Sequence, residues 1–235
     1  MKKILGIILA RGGSKGIKNK NIKLINGKPL IYWTIKSALK SKKLSKVILS
    51  TDSKKIALIG KKYNLNVPFI RPSKLAKDNT PSVDAIEHAL NFLKKSGEEF
   101  EFVVLLEPTS PLRSVQDIDK SINKIIMKKA DSLVSVCRTD ALNPLFLFKK
   151  KKGFLKPVKI SKKKYLRRQD LEPTYFIEGT IYISKVNSIL KQRTFCHNKT
   201  IGYEVPKWKS IEIDDNFDWM VVEAIFKNKR IKING

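Results

Sequence analysis

Hydrophobic and polar positions along the chain fall into short segments that alternate between two periods. Lys3 to Ala10 is an unbroken apolar run with isoleucines at adjacent and alternate positions, the pattern of a strand buried on both faces. It runs into Arg11-Gly12-Gly13-Ser14-Lys15-Gly16, too rich in glycine for strand or helix. Asn26-Gly27 marks a turn, and Pro29 opens a helix to about Ser41 with Leu30, Ile31, Ile35, Ala38 and Leu39 as its apolar stripe. Val47-Ile48-Leu49 predicts a second strand, ending on Ser50-Thr51-Asp52-Ser53, residues suited to cap the next helix. A short strand over 67–70 follows, then a helix from about Pro81 to Lys95 with Thr80 as its N-cap. Phe102 to Leu106 is a strand broken by Glu107-Pro108-Thr109-Ser110-Pro111. A helix over 115–129 and a strand over 132–137 complete the series.

Such alternation predicts an α/β chain: a three-layer arrangement with a mostly parallel sheet and helices on both faces. The rhythm fails from Thr139 to Pro173, which is rich in lysine, proline and isolated aromatics and shows neither period. A structureless loop of that length is unusual inside a compact unit, so an excursion packing against another subunit is expected. The core resumes with strands over 175–184 and 199–205 and ends with a helix over 217–226. Residues 1–235 are thus expected to form one domain with the 139–173 excursion inside it.

Composition changes the picture little. The formal charge is +28, from 49 basic and 21 acidic residues, but lysine is spread through nearly every polar segment rather than gathered on one face with aromatics. That pattern suits solvated surfaces and attracts anionic ligands; a basic nucleic-acid-binding protein is the alternative of a different class. No stretch approaches the roughly 20 apolar residues of a membrane span, and the apolar start is too short and too early for a signal peptide. Cys137 and Cys196 lack metal or redox spacing, as expected of idle thiols in a reducing cytosol. His88 and His197 are expected to be structural or exposed.

Ligands of open parallel sheets bind beyond the carboxyl ends of the strands. Three unusual segments fall at such places: the glycine-rich loop, Glu107 to Arg113, and Glu178 to Tyr182. In the loop, glycines let backbone N–H groups turn toward an anion, while Arg11, Lys15 and Lys20 add positive charge. Neither the Walker A spacing nor GxGxxG is present. Glu212 and Asp214 flank Ile213, so in an extended segment both carboxylates project to one side.

The loop resembles the nucleotide-binding signature of the acylneuraminate cytidylyltransferases, the CMP-sialic acid synthetase group. The resemblance extends through Ile70-Arg71-Pro72 with Leu75-Ala76, Asp78-Asn79-Thr80-Pro81-Ser82, Glu107 to Arg113, Gly179-Thr180-Ile181-Tyr182, and Ile213-Asp214 with Asp218-Trp219, in the family's order and over most of the chain. It implies a Rossmann-like nucleotidyltransferase fold that transfers CMP from CTP to the anomeric hydroxyl of a nonulosonic acid and releases pyrophosphate. By the same resemblance Arg11 and Lys20 hold the triphosphate, and Ser14, Lys15 and Asn21 line the nucleotide pocket with backbone N–H groups of Ala10 and of the loop at Gly12. Arg71 and Ser82 face the cytidine, and Asp214 with Glu212 binds Mg²⁺. Arg11, Lys20 and Asp214 carry the catalytic expectation. Glu107, Glu178 and Tyr182 are expected at the sugar. The excursion is expected to build a homodimer in which Arg167, Arg168 and Gln169 reach the neighbour's substrate. The expected partners are CTP and an acidic nine-carbon sugar, in the cytoplasm, with neither nucleic acid nor membrane.

Four positions depart from the family's usual pattern. Glu107 stands where Gln is usual, Glu178 where Asn is usual, Phe146 where a substrate-contacting lysine is common, and Glu212 where Asp is usual. Glutamate accepts hydrogen bonds and does not donate them when ionised, which favours a sugar with altered amide or amino substituents, such as a legionaminic or pseudaminic acid. A nucleotidyltransferase for another sugar acid or a sugar phosphate is the alternative enzyme reading.

Overall fold

Period-two patterning in the strands divides the core into two layers. In a computed structural model describing residues 2–139, 142–160, 167 and 171–228, the strands are β1 Ile4–Leu9, β2 Leu24–Ile25, β3 Lys28–Pro29, β4 Lys46–Ser50, β5 Phe102–Leu105, β6 Ser132–Arg138, β7 Phe148–Lys151, β8 Phe154–Pro157, β9 Tyr175–Lys185 and β10 Thr200–Glu204. The helices are α1 Leu30–Lys40, α2 Lys54–Lys62, α3 Ser82–Lys95, α4 Val115–Met127, α5 Val186–Gln192 and α6 Asn216–Lys227. Ile4, Ile8, Val104 and Ile183 pack on one side of the sheet with Ile31, Ile35, Ile56 and Ile122 of α1, α2 and α4. Leu5, Ile7, Val103 and Leu105 pack on the other with Val83, Ile86, Leu93 and Ile189 of α3 and α5.

The main sheet has six strands in the order β10-β6-β9-β5-β1-β4. β1 pairs in parallel with β4 and β5, and β10 with β6, while β9 runs antiparallel to both β5 and β6. The sheet is therefore mixed: the expected parallel pairs form, and one long strand is inserted in the opposite direction. The β6–β9 register breaks between Val134 and Val136. Ser135 repairs the break, its Oγ donating to the carbonyls of Glu178 or Ile181 (2.9 and 3.0 Å) and accepting from Ile181 N–H at 2.8 Å. This irregularity sets Glu178-Gly179-Thr180 out of the regular ladder, beside the carboxyl end of β5.

The expected strand over 67–70 does not form. One parallel bridge joins Ile48 to Asn66, and Pro68, which lacks an N–H, stands two residues further on. Thr80 does not cap α3; its hydroxyl donates to the Lys74 carbonyl at 3.3 Å, and the helix begins at Ser82. α5 had no counterpart in the sequence pattern, being short. Within the 139–173 excursion, β7 and β8 pair as an antiparallel hairpin turning on Lys152 and Gly153, both at positive φ (49° and 84°).

A third cluster joins the chain's far end to its beginning. Trp219 and Val222 of α6 pack with Ile213, Ile17, Ile25, Leu30 and Trp33. Asp215 and Asp218 form a reciprocal capping box that starts α6 immediately after Asp214. The segment 212–214 is thereby pinned against the glycine-rich loop.

Candidate functional site

A cleft of about 630 Å³ opens at the carboxyl ends of β1, β4 and β5. Its walls bring together Arg11, Ser14, Lys15, Lys20, Asn21, Arg71, Ser82, Glu107, Glu212 and Asp214, ten of the residues singled out in the sequence.

The glycine-rich loop is held at both ends. Gly12 N–H donates to Asp52 Oδ1 at 2.9 Å, and Asn21 Nδ2 donates to the Arg11 carbonyl at 3.0 Å. Ala10 N–H donates to the Ser50 carbonyl at 3.1 Å as part of the sheet. The amides of Ala10 and Gly12, expected at the nucleotide, are thus engaged within the protein. Gly16 is required sterically, because a Cβ there would overlap the Asp214 carbonyl. Lys20 Nζ, mostly buried, donates to the Ile213 carbonyl at 2.6 Å and to Asp214 Oδ1 at 3.1 Å. One lysine thus ties the first loop to the carboxylate segment.

Arg71 lies at the end of the stretch after β4, its own N–H donating to the Thr51 carbonyl at 2.7 Å. The side chain is only 5% exposed and its Nε has no partner. Burial lowers its pKa, Asp52 opposes that, and nearby Arg11 adds to it. A buried guanidinium with an unsatisfied donor on the wall of a cleft is a ready receptor for an anion or a carbonyl. Asp78, given no role from the sequence, pairs with both Arg11 and Lys15.

Carboxylates line the same cleft next to the loop. Glu212 is pushed up to about 7, by burial first and then by Glu107, although it accepts from Gly179 N–H at 2.5 Å. Burial also raises Glu107, with Asp214 adding to the shift and Arg113 opposing it. Gly179 admits Glu212 because it carries no Cβ, which would overlap that carboxylate. Glu212 and Asp214 do face the same cleft, as their spacing predicts. Among the described residues, no group of three or more His, Cys, Asp or Glu is placed to hold a metal ion. Two carboxylates fit a hard cation such as Mg²⁺, which takes one or two from protein and completes its shell with phosphate and water oxygens.

Glu178 needs correcting. It is 1% exposed, absent from the cleft wall, and its Oε2 accepts from Thr180 N–H (3.1 Å) and hydroxyl (2.6 Å). Its position in the irregular part of β9 turns the carboxylate inward, so it acts on the site through charge. Arg113, which closes the Glu107–Arg113 segment and was given no role of its own, is wholly buried, and burial pushes it down to about 10. It donates to the carbonyls of Glu107 and Thr180 and to Thr34 Oγ1, locking β5, β9 and α1 together.

A smaller cavity of about 320 Å³ adjoins the cleft and shares Pro81, Ser82 and Glu107 with it. Tyr182 lines it, together with Leu105, Phe195 and Cys196. Arg167 is exposed and lies outside both cavities. Arg168 and Gln169 lie outside the described residues.

The sequence matches the family described as Cytidylyltransferase over residues 5–212. It is 32% identical to the N-acylneuraminate cytidylyltransferase of Escherichia coli O18:K1:H7 over 97% of the chain and 53% of that protein, so it spans about half that relative's length. It is also 32% identical to the CMP-N,N'-diacetyllegionaminic acid synthase of Legionella pneumophila, over 96% of the chain and 97% of the relative. Its fold matches that of a CMP:2-keto-3-deoxy-manno-octonic acid synthetase complexed with CTP, with a TM-score of 0.71 at 15% identity, covering 96% of this chain and 98% of the other. No described helix is long and apolar enough to cross a membrane. The family match over residues 5–212 and the relatives at 32% identity over nearly the whole chain agree: the chain belongs to the cytidylyltransferase family.

Proposed function

We propose that the chain transfers CMP from CTP to the anomeric hydroxyl of a nonulosonic acid and releases pyrophosphate. One observation carries this: the cations of the glycine-rich loop and the carboxylates of 212–214 line one cleft and are joined by Lys20. The relatives named for CMP transfer to sialic and legionaminic acids support the acceptor class.

Arg11 and Lys15 receive the triphosphate, and Lys20 neutralises charge that grows on the leaving pyrophosphate. Such transfer depends mainly on positioning and charge neutralisation. Arg71 and Ser82 meet the nucleoside end. Glu212 and Asp214 would hold Mg²⁺, which would supply Lewis-acid charge neutralisation to the phosphates. Glu107, at the junction of the two cavities, and Tyr182, in the smaller one, orient the sugar. The working form is a cytoplasmic homodimer. The exposed side chains of Phe148, Phe154 and Leu155 on the hairpin and Tyr175 and Ile177 on β9 offer the apolar surface for it.

The test is pyrophosphate release with CTP and Mg²⁺ against neuraminic, legionaminic, pseudaminic and octulosonic acids. Turnover with a nonulosonic acid is expected. Turnover with the octulosonic acid alone would move the assignment to another sugar acid. A silent panel alongside active control enzymes would remove it.

A further inference from the structure

Arg11 and Lys15, both on the glycine-rich loop, converge on one carboxylate that does not belong to the loop. Asp78 Oδ1 accepts from Arg11 Nη1, and Asp78 Oδ2 lies 2.5 Å from Lys15 Nζ. All three side chains line the cleft. Asp78 rides on residues 72–80, which cross from Arg71 to the start of α3. Among the described residues, the other hydrogen bonds of this segment close within it: Leu75 N–H to Pro72, Ala76 N–H to Ser73, Thr80 N–H to Lys77 and Thr80 hydroxyl to Lys74. The two ionic contacts of Asp78 are thus what fastens the segment to the loop.

A carboxylate that offers one oxygen to each of two cations makes the contacts a phosphate group would make with them. The two anions cannot share the seat, because like charges at that separation repel. We propose that Asp78 is a built-in competitor for the polyphosphate seat and so a determinant of how tightly nucleotide and pyrophosphate are held. It keeps Arg11 and Lys15 in place when the seat is empty, releases them to the β- and γ-phosphates of the nucleotide, and recaptures them as pyrophosphate departs. This rests on the proposed triphosphate role of the loop. The penalty falls only on ligands that reach the seat. Triphosphate and pyrophosphate are weakened by a common factor, whereas CMP, whose single phosphate stays at the nucleoside end, is not. Weaker retention of pyrophosphate favours turnover where product release limits the rate.

The test is calorimetric titration of CTP, pyrophosphate and CMP, each with Mg²⁺, into the wild-type chain, Asp78→Asn and Asp78→Ser. Two exposed ion pairs of ordinary strength predict Kd values for CTP and pyrophosphate about three- to tenfold lower in both variants, with CMP unchanged within about twofold. A general effect of removing one negative charge is separated by the double-mutant cycle. In an Arg11→Ala/Lys15→Ala background, Asp78→Asn should leave all three affinities unaltered. Unchanged or weaker CTP and pyrophosphate binding in the Asp78 variants would overturn the proposal, as would a gain that persists in the background lacking both cations. Wild-type protein that binds none of the three would instead remove the nucleotide reading itself.

Discussion

Gly16→Ala is a single-methyl test of whether the glycine-rich loop and the 212–214 segment must stay in contact. A Cβ on Gly16 would fall well under 3.0 Å from the Asp214 carbonyl, and the obstructing atom is backbone, which has no rotamer to change. Restoring ordinary contact requires the two segments to part by roughly 1 Å. That motion lengthens the Lys20 bonds to Ile213 and Asp214, now 2.6 and 3.1 Å, and carries Asp214 away from the cations of the loop. A misplacement of this size in a positioning-dependent reaction costs on the order of 100-fold in kcat/KM, or about 2.7 kcal/mol. The cost in stability should be smaller, about 1–2 kcal/mol, because the strain sits at an exposed glycine outside the three apolar clusters. Gly13→Ala is the matched control: its Cβ would meet nothing within 4 Å, and its φ is not positive, so activity should stay within about twofold. The assay is pyrophosphate release over a range of CTP and Mg²⁺ concentrations, with melting curves to show that both variants fold. A Gly16→Ala protein within threefold of wild type would refute the claim that this contact positions the reacting groups.

Two further outcomes follow from the same geometry. Glu212 sits near pKa 7, above its ordinary value of 4.5, so between those values the folded state binds the extra proton and ligand-free stability should fall as pH rises. Glu212→Gln should flatten that slope in melts from pH 4.5 to 8, while raising the Mg²⁺ concentration needed for activity; a slope unaffected by the substitution would place the titrating group elsewhere. On the hairpin, Phe154→Ser with Leu155→Ser removes two side chains that are 76% and 65% exposed. Sedimentation should show a dimer converted to monomer with little change in fold, and a wild-type chain that sediments as a monomer at micromolar concentration would dismiss that surface as the interface.

How far the sequence reached can be read residue by residue. Burial on both faces of β1 and β5, the break at Glu107-Pro108, the turn at Asn26-Gly27 and the shared face of Glu212 and Asp214 all follow from local period, glycine and proline. These are properties of neighbouring residues, and a chain displays them before it folds. The direction of β9 was not legible, because alternation looks the same in a parallel and an antiparallel strand. Nor was the inward turn of Glu178, which depends on a register break opposite Ser135 on another strand. The pairing of Asp78 with Arg11 and Lys15, the reach of Lys20 to Asp214, and the locking of Arg113 onto β9 join residues 63 to 194 positions apart. Docking of whole elements decides such contacts. Local pattern set where strands, turns and charged groups would occur, and only tertiary packing decided which charges would meet.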